Sequence, residues 1–222
     1  MKITVAGTGY VGLVTGVCLA SKGHQVTCVD VDEEKIKLLN QGKSPIYEPE
    51  LSELMEQNRH NLCFTTDYGS AYRDAEVIFI GVGTPEKYDG SANLSYVYGV
   101  AKQIAQTAER DCVVVVKSTV PIGTNDKIES YIHDKQAHNV KIYIASNPEF
   151  LSQGTAVRDT LHASRIVIGV TDSYPAEVLQ KVYEKFEAPK LVVERRSAEM
   201  IKYASNDFLA LKISYVNEIA NL

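Results

Sequence analysis

The chain has 222 residues, 45% hydrophobic and 23% charged, ordinary globular proportions that exclude collagen-like, coiled-coil and disordered readings and fit one large domain plus an appendage. Twenty-three basic against 28 acidic residues give a formal net charge of -5, which offers no basic face to nucleic acid or an anionic membrane. No apolar run approaches the ~20 residues needed to cross a bilayer, and Met1-Lys2 runs straight into Ile-Thr-Val-Ala-Gly, too short and strand-like for a signal peptide.

In chain order, the pattern predicts a strand at Ile3–Ala6, a Gly7-Thr8-Gly9-Tyr10-Val11-Gly12 loop and a small apolar helix over Leu13–Ser21. A strand follows at Gln25–Asp30, then helices at Glu33–Gln41 and Glu50–Asn58, a strand at Leu62–Thr65 and a helical turn or two at Asp67–Arg73. Val77–Gly81 is a continuous apolar run of buried-strand type. Leu94–Ala108 reads as helix, Cys112–Lys117 as strand, Thr124–Lys135 as helix, and Lys141–Ala145 and Ser164–Val170 as strands. Ala176–Phe186 is then helical and Lys190–Val193 the last strand. Strands alternating with helices mean right-handed βαβ units, so the fold class expected is α/β, a doubly wound and mostly parallel sheet of Rossmann type. From Ala198 to Leu222 there is neither Gly nor Pro, and a long helix is expected there. One apolar stripe includes Ile201, Phe208, Leu211 and Tyr215, and a second Leu209, Ile213 and Val216. A helix apolar on two sides needs cover on two sides. The expected division is residues 1–195 as a dinucleotide-binding domain and 196–222 as the start of a long connecting helix whose second cover is missing.

The glycine loop directly follows a predicted strand, opens a predicted helix, and is followed by Asp30, an acidic residue 18 positions past Gly12 at the end of the second strand. That context separates a dinucleotide fingerprint from a glycine-rich turn without a ligand. Gly7 permits the tight turn, Gly9 lets backbone approach a pyrophosphate, and Gly12 allows close helix–strand packing, while the helix start presents N–H groups to the anion. A carboxylate at Asp30 accepts hydrogen bonds from ribose hydroxyls and, with Asp32 nearby, repels the 2′-phosphate of NADP, so NAD is the cofactor expected. The four cysteines, Cys18, Cys28, Cys63 and Cys112, have neither Cys-x-x-Cys spacing nor a histidine cluster. They read as reduced thiols of a cytoplasmic protein, each a small core hydrophobe rather than an activated thiolate, with no metal site.

Four further segments carry chemistry. Gly81-Val82-Gly83-Thr84-Pro85 closes the fourth strand and Lys117-Ser118-Thr119-Val120-Pro121 the fifth, the latter placing two hydroxyls at the carboxyl edge of the sheet. Ser146-Asn147-Pro148-Glu149-Phe150-Leu151 follows the next strand, and Lys202 and Asn206 share one helix face four residues apart. With Ser44-Pro45-Ile46-Tyr47-Glu48-Pro49 and Asp89-Gly90-Ser91-Ala92-Asn93-Leu94-Ser95, the chain resembles the UDP-glucose 6-dehydrogenase family, within the UDP-glucose/GDP-mannose dehydrogenases, from end to end.

The resemblance implies oxidation of the C6 hydroxyl of UDP-glucose to a carboxylate, using two NAD and a cysteine thioester between the steps. By matching position, it implies that Thr119 and Glu149 hold and activate the water that hydrolyses the thioester. Lys202 and Asn206 would stabilise oxyanion character. NAD would be held by Gly7, Gly9, Tyr10, Val11, Gly12, Asp30, Lys35, Thr84, Ser118, Thr119 and Glu149, and the nucleotide sugar by Glu149, Phe150, Leu151, Lys202 and Asn206. It further implies a homodimer paired through the long helix. Two departures stand out: Ser152-Gln153 where the family often carries Arg-Glu, and Glu50 where it often has Gly. None of the four cysteines matches the family's Gly-Gly-Ser-Cys-Phe-Pro-Lys-type nucleophile motif, so the chain reads as an amino-terminal half, able to bind NAD but inactive alone. Competing readings are a dehydrogenase of UDP-N-acetylmannosamine or GDP-mannose, a non-catalytic NAD-sensing Rossmann domain, and a dimerisation module built on the last helix. A sensor has no use for Thr119, Glu149, Lys202 and Asn206 in these motifs.

Overall fold

A computed structural model describes all residues, 1–222. The first half runs β1 (Lys2–Ala6), α1 (Tyr10–Ser21), β2 (Gln25–Val29), α2 (Glu33–Asn40), α3 (Leu51–Gln57), β3 (Leu62–Thr65), α4 (Tyr68–Arg73) and β4 (Val77–Ile80). The second runs α5 (Ser95–Thr107), β5 (Cys112–Val116), α6 (Thr124–Lys135), β6 (Ile142–Ser146), α7 (Ala156–Leu161), β7 (Ile166–Gly169), α8 (Ser173–Val182), β8 (Lys190–Val193) and α9 (Arg195–Ala220). The strands form one sheet in the order β3-β2-β1-β4-β5-β6-β7-β8. Chain order reverses across β1 and β4, the switch point where doubly wound sheets open a crevice for ligands.

The central strands β4 and β5 are buried at every position, as their unbroken runs of β-branched and aromatic residues require of strands covered on both faces. Alternate side chains divide between two cores. Val77, Phe79, Val113 and Val115 pack with Leu179, Val182 and Phe186 from α8 and the segment after it. Ile78, Ile80, Val114 and Val116 pack with the α5 and α6 residues Val97, Ile104, Ile128 and Ile132. Helix α1 is buried from Gly12 through Ala20, because α2, α3 and α7 close a third core around Leu13, Val14 and Val17. Its lack of a polar stripe is what a helix enclosed on all sides shows.

Four features depart from expectation. Strand β7 meets β6 in antiparallel sense at the single pair Ser146↔Gly169, so β7 and β8 reverse the direction of the sheet. Helix α7 was not foreseen: its N-cap residue, Thr155, makes no side-chain cap, and the acceptor that replaces it comes from Glu48, more than a hundred residues earlier. Cys63 is exposed rather than a core residue; it lies on the edge strand β3 between Leu62 and Phe64, which face the cores, and strand alternation turns it outward. Helix α9 begins at Arg195, one residue before the expected boundary at 196, but its cover is uneven. Only its first turns are covered, with Ala198, Glu199 and Lys202 buried, while Phe208, Leu211 and Tyr215 are each more than 60% exposed (68%, 67% and 64%).

The glycines that permit this assembly are specific. A Cβ on Gly12 would lie 2.0 Å from the Gly7 carbonyl oxygen, and one on Gly81 would lie 2.9 Å from the Gly12 Cα. Gly12→Ala should therefore lower unfolding stability in urea by about 1–3 kcal/mol, the cost of overpacking against atoms that cannot yield. Gly99 lies mid-helix with nothing within 4 Å of its would-be Cβ, so Gly99→Ala should raise stability by about 0.5–1 kcal/mol through helix propensity alone.

Candidate active site

At the carboxyl edge of β1, the chain turns at Gly7, whose φ of 99° lies in the left-handed region. Gly9 precedes α1 with no side-chain cap and with open space around its missing Cβ. The first N–H groups of α1 thus border a space that a side chain would fill, the cradle a pyrophosphate requires. Asp30, at the end of β2, fixes this loop: its Oδ2 accepts from the Thr8 N–H and the Thr8 hydroxyl, both at 2.7 Å, and its Oδ1 from the Asp32 N–H at 3.1 Å. Partial burial would raise its pKa, but these donors and the nearby Lys35 outweigh burial and hold the carboxyl below its usual range. Lys35 itself sits in the first turn of α2, 3.5 Å from Asp32.

The loops after β4 and β5 are sewn together by hydroxyls. Thr84 donates to the Thr119 carbonyl at 2.9 Å, and Ser118 donates to the Val82 carbonyl at 2.6 Å. Of the two hydroxyls expected at this edge, the Ser118 proton is therefore turned inward, and only the Thr119 side chain keeps its donor free for a ligand.

After β6, Glu149 folds back on its own loop. Its Oε2 accepts from the Leu151 N–H at 2.6 Å, and its Oε1 lies 2.7 Å from Lys202 Nζ. Both side chains are largely buried, 12% and 7% exposed. Phe150 lies beside the pair, with Lys202 Nζ 5.6 Å and the Arg165 guanidinium 4.4 Å from its ring centroid, distances at which a cation is held by a ring face. Lys202 is thus not on a solvated helix face. Asn206, one turn further along the same face, is exposed because it lies beyond the covered part of α9. Directly beneath, Lys117 donates to Asn147 Oδ1 at 3.1 Å.

The glycine loop and the Glu149 loop are joined through Glu48. This buried carboxylate accepts from the Tyr10 hydroxyl, from the Gly154 N–H at 2.9 Å and from the Ala156 N–H at 2.6 Å. It therefore caps α7 and ties the first residue of α1 to the segment after Glu149. Burial opposes its ionisation, but the Tyr10 hydroxyl and the backbone donors win and hold its pKa low; burial and Glu48 push the Tyr10 phenol up to about 12. Glu199 of α9 does the same for α6, accepting from the N–H groups of Gly123 and Asn125 at 2.5 and 2.8 Å. Thr8, Glu48, Lys117, Asn147, Arg165 and Glu199 all shape the site and were not singled out individually by sequence reasoning. Thr8, Glu48, Lys117 and Asn147 lie inside motifs that were. Nothing local marks Glu199 as the partner of Gly123.

A glycine cradle and a strand-end carboxylate at the switch point of a doubly wound sheet are the architecture of a dinucleotide-binding domain. The family model "UDP-glucose/GDP-mannose dehydrogenase family, NAD binding domain" matches residues 1–187 and the central-domain model of the same family matches 196–222. The chain belongs to the UDP-glucose/GDP-mannose dehydrogenase family and carries its NAD-binding domain. It is 54% identical over its full length to UDP-glucose 6-dehydrogenase YwqF and 46% to TuaD, both of Bacillus subtilis, covering 51% and 48% of those proteins. A UDP-glucose dehydrogenase structure from Pyrobaculum islandicum superimposes with a TM-score of 0.94 at 42% identity, over 98% of this chain and 51% of that one. A ternary complex of GDP-mannose dehydrogenase from Pseudomonas aeruginosa gives 0.93 at 40%, over 99% and 52%. The chain spans about half the length of the curated relatives it matches. No helix is long and apolar enough to cross a membrane.

A carboxyl with a depressed pKa lends stability that is complete above its unfolded value, near ~4, and lost as pH falls through the folded one. Thermal melts across pH should therefore show stability dropping below about pH 4.5, with Glu48→Gln flattening part of that drop. At neutral pH the same substitution should cost about 1–3 kcal/mol, because it weakens a buried acceptor for three donors.

Proposed function

We propose that this chain is the cofactor half of an enzyme that oxidises the C6 hydroxyl of UDP-glucose to the carboxylate of UDP-glucuronate, using two NAD and a cysteine thioester. The observation that carries the reading is the Glu149–Lys202 pair at 2.7 Å, linked through Tyr10 and Glu48 to the start of the glycine helix. The identity of 54% and 46% to proteins named UDP-glucose 6-dehydrogenase supports the substrate.

NAD, when bound, supplies the two-electron acceptor for each step. The α1 N-terminus and Gly9 would hold its pyrophosphate, Asp30 and Lys35 its adenosine ribose, and Thr84, Ser118 and Thr119 its other end. Thr8 already occupies Asp30 Oδ2, so ribose hydroxyls would share a carboxylate whose orientation is fixed before binding. Lys202 stabilises negative charge on the reacting oxygen, where a donor in a water-poor site is strongest, and Asn206 joins it on the same helix face. Glu149 and Thr119 orient and deprotonate the attacking water. Phe150 and Leu151 contact the sugar. Burial pushes the thiols of Cys18, Cys28 and Cys112 up to about 12, which disqualifies them as thiolates, and Cys63 faces outward on β3. On this reading neither the nucleophile nor most uridine contacts are among these residues, and the chain alone binds NAD without turnover. The exposed apolar residues of α9 pair with a second copy, and the reaction is cytoplasmic.

In the complete protein, UDP-glucose and NAD should yield two NADH per sugar. Oxidation of GDP-mannose or UDP-N-acetylmannosamine instead would reassign the substrate, and NAD binding without turnover of any nucleotide sugar would favour a sensor. Lys202→Ala should lower kcat about 10²–10³-fold, the usual loss on removing an oxyanion donor. Asp30→Asn should weaken NAD and narrow its advantage over NADP in a binding titration; an unchanged ratio would mean that the ribose is read elsewhere.

A further inference from the structure

Lys117 has no role in the reaction above, yet it is a buried cation, 8% exposed, at the end of β5. Its Nζ donates to Asn147 Oδ1 at 3.1 Å, the same oxygen that accepts the Tyr183 hydroxyl at 2.5 Å. Asn147 is fixed further: its Nδ2 donates to the Val167 carbonyl at 2.7 Å and its N–H to the Val116 carbonyl at 2.9 Å. Only Pro148, with its locked φ, separates Asn147 from Glu149. Lys117, Asn147, Glu149 and Tyr183 line one cavity of about 320 Å³ between α1, α7 and the segment after α8.

Isolating an ammonium from water is costly, and an uncharged side chain of similar length would fill the same space at less cost. The charge at this position therefore needs an electrostatic reason, and the nearby anion supplies it. We propose that Lys117 is a positioning residue for Glu149: its ammonium, oriented by Asn147 in the cavity that Glu149 shares, is the second cation acting on that carboxylate and holds it poised toward Lys202. The inference rests on the Glu149–Lys202 pair being the reacting centre.

The surroundings agree. Burial pushes Lys117 down to about 8, opposed by Glu149 and reinforced by Lys202. The groups facing it are Glu149 on the loop after β6, Lys202 on α9, Cys18 on α1 and Tyr183 after α8. Burial pushes Cys18 up to about 12 and Tyr183 higher, so neither supplies a negative charge beside Lys117 at neutral pH. As pH rises through the Lys117 pKa, Glu149 loses one of its two cations.

The test follows the Glu149 carboxyl by carbon NMR in the complete protein across pH, with no substrate needed. In the wild type its resonance should take a second step near pH 8, as Lys117 deprotonates. In Lys117→Met that step should vanish and the Glu149 protonation midpoint should rise by about one unit, the size of effect a single nearby charge exerts. Turnover should fall in kcat with KM for NAD unchanged. A wild-type resonance flat through pH 8, or a midpoint unmoved in the variant, overturns the proposal; if Lys117→Met does not fold, the wild-type step decides alone. A protein that shows the step but oxidises no nucleotide sugar would refute the proposed reaction and leave the electrostatic role of Lys117 standing.

Discussion

The site depends on one steric constraint, the approach of three backbones at Gly7, Gly12 and Gly81. With a would-be Cβ at Gly12 only 2.0 Å from the Gly7 oxygen and one at Gly81 2.9 Å from the Gly12 Cα, no other residue type fits without displacing α1 from the sheet. That contact sets the α1 N-terminus above β1 and beside the end of β4, and so decides where an anion can be met by free N–H groups. Gly16 extends the same logic one turn on, since a Cβ there would meet the Cys28 sulfur at 2.5 Å. The helix lies flat enough on β2 for Asp30 to reach back to Thr8.

Around this contact, three carboxylates act at a distance. Asp30 holds the glycine loop, Glu48 caps α7 and Glu199 caps the start of α6, each accepting at least two hydrogen bonds from segments 22 to 108 residues away in the chain. Buried N–H groups at helix starts have no intrahelical partner, and a carboxylate there meets both the donors and the positive end of the helix dipole. The carboxylates therefore serve as joints between elements as well as caps. Glu199 docks α9 against α6, which in turn sets Lys202, one turn later, against Glu149. Gly169 allows this docking: a Cβ there would come within 2.4 Å of the Ala198 Cβ.

Helix α9 changes character along its length. Its first turns are anchored by Arg195, which contacts Asp126 at 3.0 Å and Glu129 at 2.7 Å, by Glu199 and by the Lys202–Glu149 pair. Beyond Asn206 its apolar side chains point into solvent. Lys202 lies at the boundary between the two parts, so the exposed apolar surface and the Glu149–Lys202 pair share one helix.

Sequence alone determined what depends on local pattern. The strands β3 and β8 and the helix α6 appear with the boundaries expected, because turn residues and hydrophobic periodicity act over a few positions. The glycine loop and Asp30 were legible for the same reason, their spacing being a property of one βαβ unit. What only the tertiary structure decided has non-local causes. Helix α7 escaped notice because its cap is Glu48, from another motif. The reversal of β7 depends on how the long connection from Asn147 to Arg165, which carries α7, returns to the sheet. The Ser118 hydroxyl looked available for a ligand until its partner, the Val82 carbonyl, was brought to it by the pairing of β4 with β5. Lys117 read as one more residue of a strand-end motif. That it is a buried cation tied to Asn147 and Tyr183 depends on three segments folding over it, and its desolvation exists only once they do.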